Sequence, residues 1–199
     1  MAVGKSTLAA SLKDALPGAQ VVSTDGFLRP NADLDATGLS MRKGFPESYD
    51  VAALHVALTA VRAGPAEFRG YSHTTYDVDP ALARTLDRPP VLIVEGLSLT
   101  RAAPLDALIY LDADEADIEA WFTARLLGLL DAGRDDPASF YARFAHFDAA
   151  ASRAFAASVW ANINRPNLIE HILPVRGTAD LVARKGADHS IVEIRGPRP

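Results

Sequence analysis

The segment from Gly4 to Thr7 reads Gly-Lys-Ser-Thr and opens a stretch with helical periodicity. It matches the second half of the phosphate-binding motif G-x-x-x-x-G-K-[ST], in which backbone N–H groups and the helix dipole hold phosphate oxygens. Lys5 would then reach the β- and γ-phosphates of a nucleotide, and the Ser6 hydroxyl would hold Mg²⁺. Because so short a string also occurs by chance, the prediction of a nucleotide site needs support from other residues.

Two acidic residues stand where apolar runs end. Asp25 comes just after the run 21–23, and Glu95 ends the run 91–95. The carboxyl ends of parallel strands form the ligand-binding edge of an open α/β sheet. There Asp25 can accept the proton of an attacking hydroxyl, which contributes about 10²–10⁴-fold to a rate, and Glu95 can hold Mg²⁺ through water. The alternatives are that Asp25 only closes a turn with Gly26 and that Glu95 caps the next turn.

Arg125 is the third candidate, because it shares a helical stripe with Ile118, Phe122 and Leu129. A buried, unpaired charge is costly, so an arginine in an apolar stripe predicts an anionic partner. That partner is either a structural carboxylate or a phosphoryl group in transfer, where such an arginine is worth about 10³–10⁵-fold. Together, the phosphate loop, the two strand-end acids and this arginine predict phosphoryl transfer to a hydroxyl.

The elements that must position these residues alternate between strands and helices. Continuous apolar runs predict strands buried on both faces at 20–23, 91–95 and 107–111, and weaker patterns predict strands at 180–184 and 190–195. Spacings of three and four predict helices at 5–16, 51–61, 118–130, 140–147 and 149–162, the second of which ends at Gly64-Pro65. This alternation is typical of an α/β fold with a mostly parallel sheet covered on both faces.

Two stretches have no regular pattern and are predicted to be long loops, 27–50 and 66–80. Loops of this length in a compact domain usually carry function. The second crowds Tyr71, His73, Tyr76 and Asp77 together, which predicts a binding surface. The alternative is an ordinary structured loop with aromatic residues at its surface.

Composition sets wider limits. The chain has 199 residues, of which 49% are hydrophobic and 23% charged, so we expect one globular domain spanning 1–199. The absence of cysteine excludes disulfides, thiolate metal sites and a cysteine nucleophile. The net charge of −5 argues against binding to nucleic acid or to an anionic membrane surface. No apolar run is long enough to cross a membrane, and no leader pattern follows Met1, so we expect a cytoplasmic protein.

The chain resembles bacterial type I pantothenate kinase, a P-loop kinase more distantly similar to uridine kinase and phosphoribulokinase. The strings that carry the resemblance lie in the same order along nearly the whole chain: AVGKST at 2–7, STDGFL at 23–28, RKGFPESYD at 42–50, YSH at 71–73, IVEGL at 93–97, DADE at 112–115, NL at 167–168 and KGADHS at 185–190. The resemblance implies a three-layer P-loop kinase fold, a homodimer, and ATP- and Mg²⁺-dependent phosphorylation of the primary hydroxyl of pantothenate, the first step of coenzyme A synthesis.

The resemblance also assigns roles to residues. Asp25 would meet the substrate hydroxyl, Glu95 would support the metal, and Arg125 would meet the phosphates or the substrate. The residues that would bind ATP and Mg²⁺ are Gly4, Lys5, Ser6 and Thr7, with Lys185 and His189 as candidates for contacts to adenine. The pantothenate pocket would be lined by Tyr71, His73, Tyr76, Phe122 and Asn164. From the residues alone, Asn164 would instead be a helix C-cap.

Departures from the family pattern leave other functions open. Phe122 stands where the family places a substrate-contacting tyrosine, which leaves room for a related kinase acting on a nucleoside or another alcohol. Ala10 and Leu129 replace a basic and an aromatic residue that are associated with feedback by coenzyme A. Because the first half of the phosphate loop is absent, an inactive nucleotide-binding pseudokinase is the second alternative.

The family's first strand, at the middle of its sheet, has no counterpart before Gly4. A central strand buries about five apolar side chains at roughly 2 kcal/mol each, comparable with a whole domain's net stability of about 5–15 kcal/mol. The sequence as written therefore begins too late, or the sheet closes over the gap, or the chain is a degraded remnant. We expect the first, with an apolar strand encoded upstream in the same reading frame.

Overall fold

The computed structural model describes residues 2–196. Its helices are α1 (Lys5–Ala15), α2 (Asn31–Ala36), α3 (Val51–Ala63), α4 (Glu115–Ala132), α5 (Ala149–Val159) and α6 (Arg165–Asn167). Its strands are β1 (Gln20–Ser23), β2 (Pro65–Ser72), β3 (Asp77–Asp87), β4 (Leu92–Glu95), β5 (Ile109–Asp112), β6 (Leu181–Lys185) and β7 (Ile191–Arg195). The chain divides into two compact units: an amino-terminal unit of 4–72 with 77–108, and a carboxy-terminal unit of 2–3, 73–76 and 109–196.

In the amino-terminal unit, β1 and β4 pair in parallel, with Ser23 opposite Glu95. Just beyond this pair, the fully buried Thr24 hydroxyl accepts a hydrogen bond from the N–H of Leu97 at 3.1 Å. Gly96 has φ 146°, and a Cβ added to it would lie 1.8 Å from the Thr24 oxygen. A glycine is therefore required here, and it allows the two strand ends to lie side by side.

The helices of this unit begin and end at the residues that the sequence indicates. α1 follows Gly4, which has a left-handed φ of 91°, and stops before Gly18, at φ 75°. Asp50 caps the start of α3, where its carboxylate accepts the Ala53 N–H at 3.0 Å, and Gly64 caps its end. The core between α3 and the strands is built from Val22, Phe27, Leu54, Ala57, Leu58, Val61, Ala66 and Phe68.

The predicted loop at 66–80 is wrong: most of it is an antiparallel hairpin of β2 and β3. Burial alternates along β2, with Ala66 and Phe68 buried and Glu67 and Arg69 exposed, which is the pattern of a half-buried strand. Only 73–76 form the turn, and β3 runs through Pro80 to Asp87. The other predicted loop, 27–50, contains α2 and short 3-10 turns at Ser40–Arg42 and Pro46–Ser48.

The carboxy-terminal unit has a three-stranded sheet in the order β5-β6-β7. The first pairing is parallel and the second antiparallel, so two of the four strand pairings among the described residues are parallel. The expected burial of β5 on both faces is not found, because burial alternates along the strand and Ile109 is 42% exposed. Residues 140–144 form a 3-10 helix rather than an α-helix.

The helical region after α5 departs from the sequence interpretation of Asn164. α5 ends at Val159, but the chain stays helical through a π-turn at Trp160–Asn164 and on into α6. Asn164 itself has helical dihedral angles of φ −72° and ψ −43°. The C-cap interpretation is therefore wrong, because the backbone does not leave the helix there. Within residues 2–196, no helix combines the length and the apolar character needed to cross a membrane.

Candidate active site

The amino end of α1 has local features that suit the predicted binding of phosphate. Gly4 takes the left-handed conformation, and its carbonyl accepts the N–H of Leu8 at 3.0 Å, which starts the helix. Within α1 as described, no side chain caps this end, and the first turn holds no acidic residue. The positive end of the helix dipole is therefore not neutralised by an acid of the first turn, as a site for phosphate oxygens needs.

Ser6 and Glu95 meet at this end of the helix. The Ser6 hydroxyl donates a hydrogen bond to Glu95 Oε1 at 3.1 Å, and Glu95 is the last residue of β4. Among residues 2–196 no group of three or more His, Asp or Glu side chains could hold a metal alone. Mg²⁺ commonly binds through one or two protein oxygens, substrate phosphates and water, so a hydroxyl beside a carboxylate fits it.

Asp25 lies just past the end of β1, in a 3-10 turn at Thr24–Phe27. Its N–H donates to the Ser23 hydroxyl at 3.2 Å, and its half-buried carboxylate accepts the Tyr49 hydroxyl at 3.4 Å. Gly26 closes the turn, and a Cβ there would lie 2.0 Å from the Arg69 carbonyl oxygen. Asp25 therefore takes part in a turn with Gly26 and also lies at the carboxyl end of β1, so the two positions expected from the sequence do not exclude each other. Asp25 follows β1, and β1 pairs with β4, which ends at Glu95.

Lys43 is a half-buried cation near this carboxylate. Its ammonium donates to Asn31 Oδ1 at 2.6 Å and lies 5.2 Å from the ring centre of Tyr71. Burial lowers the pKa of Lys43 to about 8, although the carboxylates of Asp77, Asp25 and Asp35 oppose that shift. The group therefore adds positive charge close to Asp25, and Tyr71 packs beside it.

Phe122 and Arg125 lie on α4 in the carboxy-terminal unit, but not as the stripe predicted. The buried face of α4 consists of Ile118, Leu126 and Leu130. Arg125 is one residue, or about 100° of rotation, from Leu126, so its side chain is exposed. No ion pair to Arg125 is found among residues 2–196, so the structure does not provide the structural carboxylate that was one of the two expected partners. Contact with a phosphoryl group in transfer stays a prediction. Half-buried Phe122 packs 6.0 Å from the ring of Trp160.

His73 and Tyr76 lie in the four-residue turn between β2 and β3, which belongs to the carboxy-terminal unit. His73 is exposed. Tyr76 has a left-handed φ of 55°, which is unusual for an aromatic residue, and packs against Phe140 at 4.7 Å and Tyr141 at 6.3 Å. Asn164 is half-buried in the π-turn. The structure therefore fixes Tyr76 by aromatic packing, whereas His73 is open to solvent.

Lys185 and His189 come together around Trp121. The His189 ring stacks on Trp121 at 4.2 Å, and the Lys185 ammonium lies 5.2 Å from the same indole and 3.3 Å from His189 Nδ1. Lys185 is buried and donates to the Val3 carbonyl at 3.1 Å. Burial lowers its pKa. The two residues assigned to adenine by resemblance thus form one cluster, with one aromatic face already packed.

Comparison with known proteins identifies the family. The sequence is 42% identical to pantothenate kinase of Mesorhizobium japonicum, a match that covers 98% of this chain and 68% of the relative. The corresponding values are 43%, 98% and 66% for pantothenate kinase of Leifsonia xyli, and 41%, 98% and 67% for that of Brucella abortus. The chain belongs to the pantothenate kinase family. It spans about two thirds of the length of these relatives, and no protein-family model matches it.

Solved structures share the fold of this pantothenate kinase family member. A protein from Silicibacter sp. TM1040, assigned as a fructose transport system kinase, is 28% identical, with a TM-score of 0.58 over 81% of each chain. The YGR205w protein superposes with a TM-score of 0.63 over 99% of this chain and 86% of its own, at 12% identity. D-glycerate 3-kinase from Cryptococcus neoformans has a TM-score of 0.59 over 96% of this chain and 86% of its own, at 14% identity. The architecture is that of a P-loop kinase.

Sequence reasoning missed three residues of this family member that the structure places beside predicted ones. Lys43 and Tyr49 flank Asp25, and Trp121 stacks on His189. The signal for the first two is the string RKGFPESYD at 42–50, which carries the family resemblance but by itself assigns no role to Lys43 or Tyr49. For Trp121 no local signal existed, because an aromatic residue on an amphipathic helix most often belongs to the core.

Proposed function

We propose that this chain transfers the γ-phosphoryl group of ATP to the primary hydroxyl of pantothenate, the first step of coenzyme A synthesis. The observation that carries the proposal is the contact of Ser6 with Glu95 at the amino end of α1, one strand away from Asp25. It supplies oxygen ligands for Mg²⁺ beside a phosphate-binding helix end. The pantothenate kinases that cover almost the whole chain support the choice of acceptor.

The proposed chemistry is an in-line displacement. The acceptor oxygen bonds to the γ-phosphorus as the bond from that phosphorus to the β,γ-bridging oxygen breaks, and ADP leaves with those electrons. The acceptor proton passes to Asp25, and Lys5 neutralises charge on the phosphates. Mg²⁺, held through Ser6 and Glu95, supplies further charge neutralisation when bound. Arg125, exposed on α4, is a candidate to contact the transferred group.

The acceptor pocket is proposed from Tyr71, His73, Tyr76, Phe122 and Asn164. Tyr76 and Phe122 are each held by aromatic packing within the carboxy-terminal unit, against Phe140 and Trp160 respectively. With Phe122 in place of tyrosine, the pocket has one hydroxyl fewer, which weakens discrimination among alcohols. We therefore keep a nucleoside or another small alcohol as the alternative acceptor.

An ADP-release assay with Mg·ATP tests the proposal. Pantothenate, uridine and glycerate are compared at equal concentration, and the product is checked by mass for an added phosphate. Turnover with pantothenate alone supports the proposal, whereas turnover with uridine or glycerate alone replaces the acceptor. If no acceptor is phosphorylated but Mg·ATP at about 100 times its dissociation constant stabilises the fold by roughly 2.7 kcal/mol, the chain is a nucleotide-binding pseudokinase.

We propose further that the protein acts in the cytoplasm as a homodimer, as the family resemblance implies. Light scattering coupled to gel filtration measures the mass directly. A mass near twice 21.2 kDa supports the dimer, and a mass near the single-chain value contradicts it.

A further inference from the structure

The segment 44–50 is folded into a rigid support rather than a flexible loop. Gly44 has a left-handed φ of 92°, and its N–H donates to the Ser48 hydroxyl at 2.9 Å. The same hydroxyl donates to the Phe45 carbonyl at 2.7 Å. Phe45 is 1% exposed and Ser48 fully buried. The backbone on either side of this turn is therefore fixed by hydrogen bonds and by packing at once.

This support is joined to the chain that follows Asp25. The Arg29 N–H donates to the Ser48 carbonyl at 2.8 Å, and the Asp50 N–H donates to the Phe27 carbonyl at 2.7 Å. Between these bonds lies an antiparallel bridge that pairs Leu28 with Tyr49. Two segments about twenty residues apart are thus held in register, and their separation cannot change without breaking buried hydrogen bonds.

The pairing of Leu28 with Tyr49 places the Tyr49 side chain beside Asp25. It is 4% exposed, and its hydroxyl donates to Asp25 Oδ1 at 3.4 Å. That distance is longer than a typical O–H···O hydrogen bond of about 2.5–3.0 Å. Catalytic hydrogen bonds are often long in the ligand-free enzyme and tighten when the substrate is bound. The hydroxyl therefore stands where it can restrict the rotation of the carboxylate.

We propose that Tyr49 is a positioning residue for the reaction: its O–H bond to Oδ1 fixes the Asp25 carboxylate so that Oδ2 is left for the proton of the acceptor hydroxyl. Tyr49 itself touches neither substrate nor nucleotide. The inference rests on the proposed function, because it assigns Asp25 the role of proton acceptor. It predicts that loss of the phenol oxygen impairs the chemical step and leaves the binding of both substrates intact.

The test compares Tyr49→Phe with Tyr110→Phe in steady-state kinetics with Mg·ATP and pantothenate. Tyr110 is a buried tyrosine of β5, 9% exposed, and has no place in the proposed machinery. Misplacing a reacting group by about 1 Å can cost up to about 100-fold in rate. We therefore expect Y49F to lower kcat by that amount with both KM values within about twofold, and Y110F to keep the wild-type kcat.

Melting by circular dichroism accompanies the kinetics, and assays are run at a temperature at which both variants are folded. A kcat for Y49F equal to that of Y110F overturns the inference, as does a loss that appears only in KM. The two proposals fail separately. If the wild-type chain does not phosphorylate pantothenate, the proposed function is lost, whereas an active wild type with an equally active Y49F removes only the role of Tyr49.

Discussion

The Ser6 hydroxyl donates to the Glu95 carboxylate at 3.1 Å, although 89 residues separate them in the chain. The contact exists because β4 lies parallel to β1 and ends beside α1. A hydroxyl at a helix start and a carboxylate at a strand end are each common. Their hydrogen bond brings together two oxygens of the kind that Mg²⁺ prefers, which supports the proposed metal site.

Glu95→Gln should therefore raise the Mg²⁺ concentration needed for half-maximal turnover by about 10-fold or more, because metal sites lose about 10–100-fold in affinity when a supporting partner is changed. Titration of Mg²⁺ at constant ATP measures this value. Glu67→Gln, an exposed carboxylate on β2, is the matched control and should leave the titration unchanged. Equal Mg²⁺ requirements for both variants would remove Glu95 from the metal site.

Asp25→Asn should lower turnover by about 10²–10⁴-fold, the usual contribution of a positioned base. The amide keeps the shape of the side chain but cannot accept the acceptor proton. Binding of Mg·ATP, measured by thermal shift, should match that of the wild type. Asp14→Asn, on the exposed part of α1, controls for the loss of one negative charge and should remain active. Wild-type turnover by D25N would end the assignment of Asp25 as base.

Local patterns in the sequence were sufficient for most elements, because apolar runs and glycine or proline stops act over a few residues. β1 and β6 and the ends of α1 and α3 follow such signals. The β2–β3 hairpin was missed because Gly70 and Pro80 interrupt its alternation. Gly70 is nonetheless needed there, since a Cβ would lie 2.3 Å from Leu82. The requirement for glycine at this position becomes visible only when β2 is paired with β3.

The candidate site also depends on contacts that local sequence patterns do not predict. The periodicity of α4 fits a stripe through Arg125 as well as one through Leu126, because 3.6 residues per turn lies between spacings of three and four. The packing partner of the helix decides between them, and it selects Leu126. Likewise, Tyr49 meets Asp25 only through the bridge between Leu28 and Tyr49. Such non-local contacts leave no mark on the local sequence.

Lys43 should make stability depend on alkaline pH. Its pKa is lowered to about 8 in the folded chain by burial, from 10.5, so between these values the unfolded chain binds more protons. The free energy of unfolding therefore gains a contribution from Lys43 as pH rises through this window, and lacks it below about pH 8. Urea denaturation at about pH 7.5, 9 and 10.5 measures the change.

In Lys43→Met this alkaline gain should disappear, so the difference in unfolding free energy between the variant and the wild type varies with pH. Lys13→Met, an exposed lysine of α1, should differ from the wild type by the same amount at each pH. Parallel pH profiles for the wild type and K43M would contradict the lowered pKa.

Trp121 should report nucleotide binding by its fluorescence, because its ring stacks on His189 and faces Lys185. The chain has two tryptophans, so Trp160→Phe leaves Trp121 as the sole emitter. Titration of this variant with Mg·ATP should change the emission in a saturable way if the cluster binds the base. Trp121→Phe, in which only the buried Trp160 emits, should show a much smaller change. Equal changes in both variants would place the base elsewhere.

Gly96→Ala should destabilise the protein and slow turnover together. The alanine Cβ would lie 1.8 Å from the Thr24 hydroxyl oxygen, and the φ of 146° disfavours any L-residue. Strain and overpacking of this kind cost about 2–5 kcal/mol in combination. Because Gly96 follows Glu95 and Thr24 precedes Asp25, relief of the clash must move at least one of the two acids.

Gly128→Ala is the matched control, since an added Cβ there meets nothing within 4 Å and the residue lies inside α4. It should raise stability by about 0.5–1 kcal/mol and keep kcat. Urea denaturation with parallel kinetics measures both effects, and a G96A variant as stable and as active as G128A would show that the strand ends are not fixed by this contact.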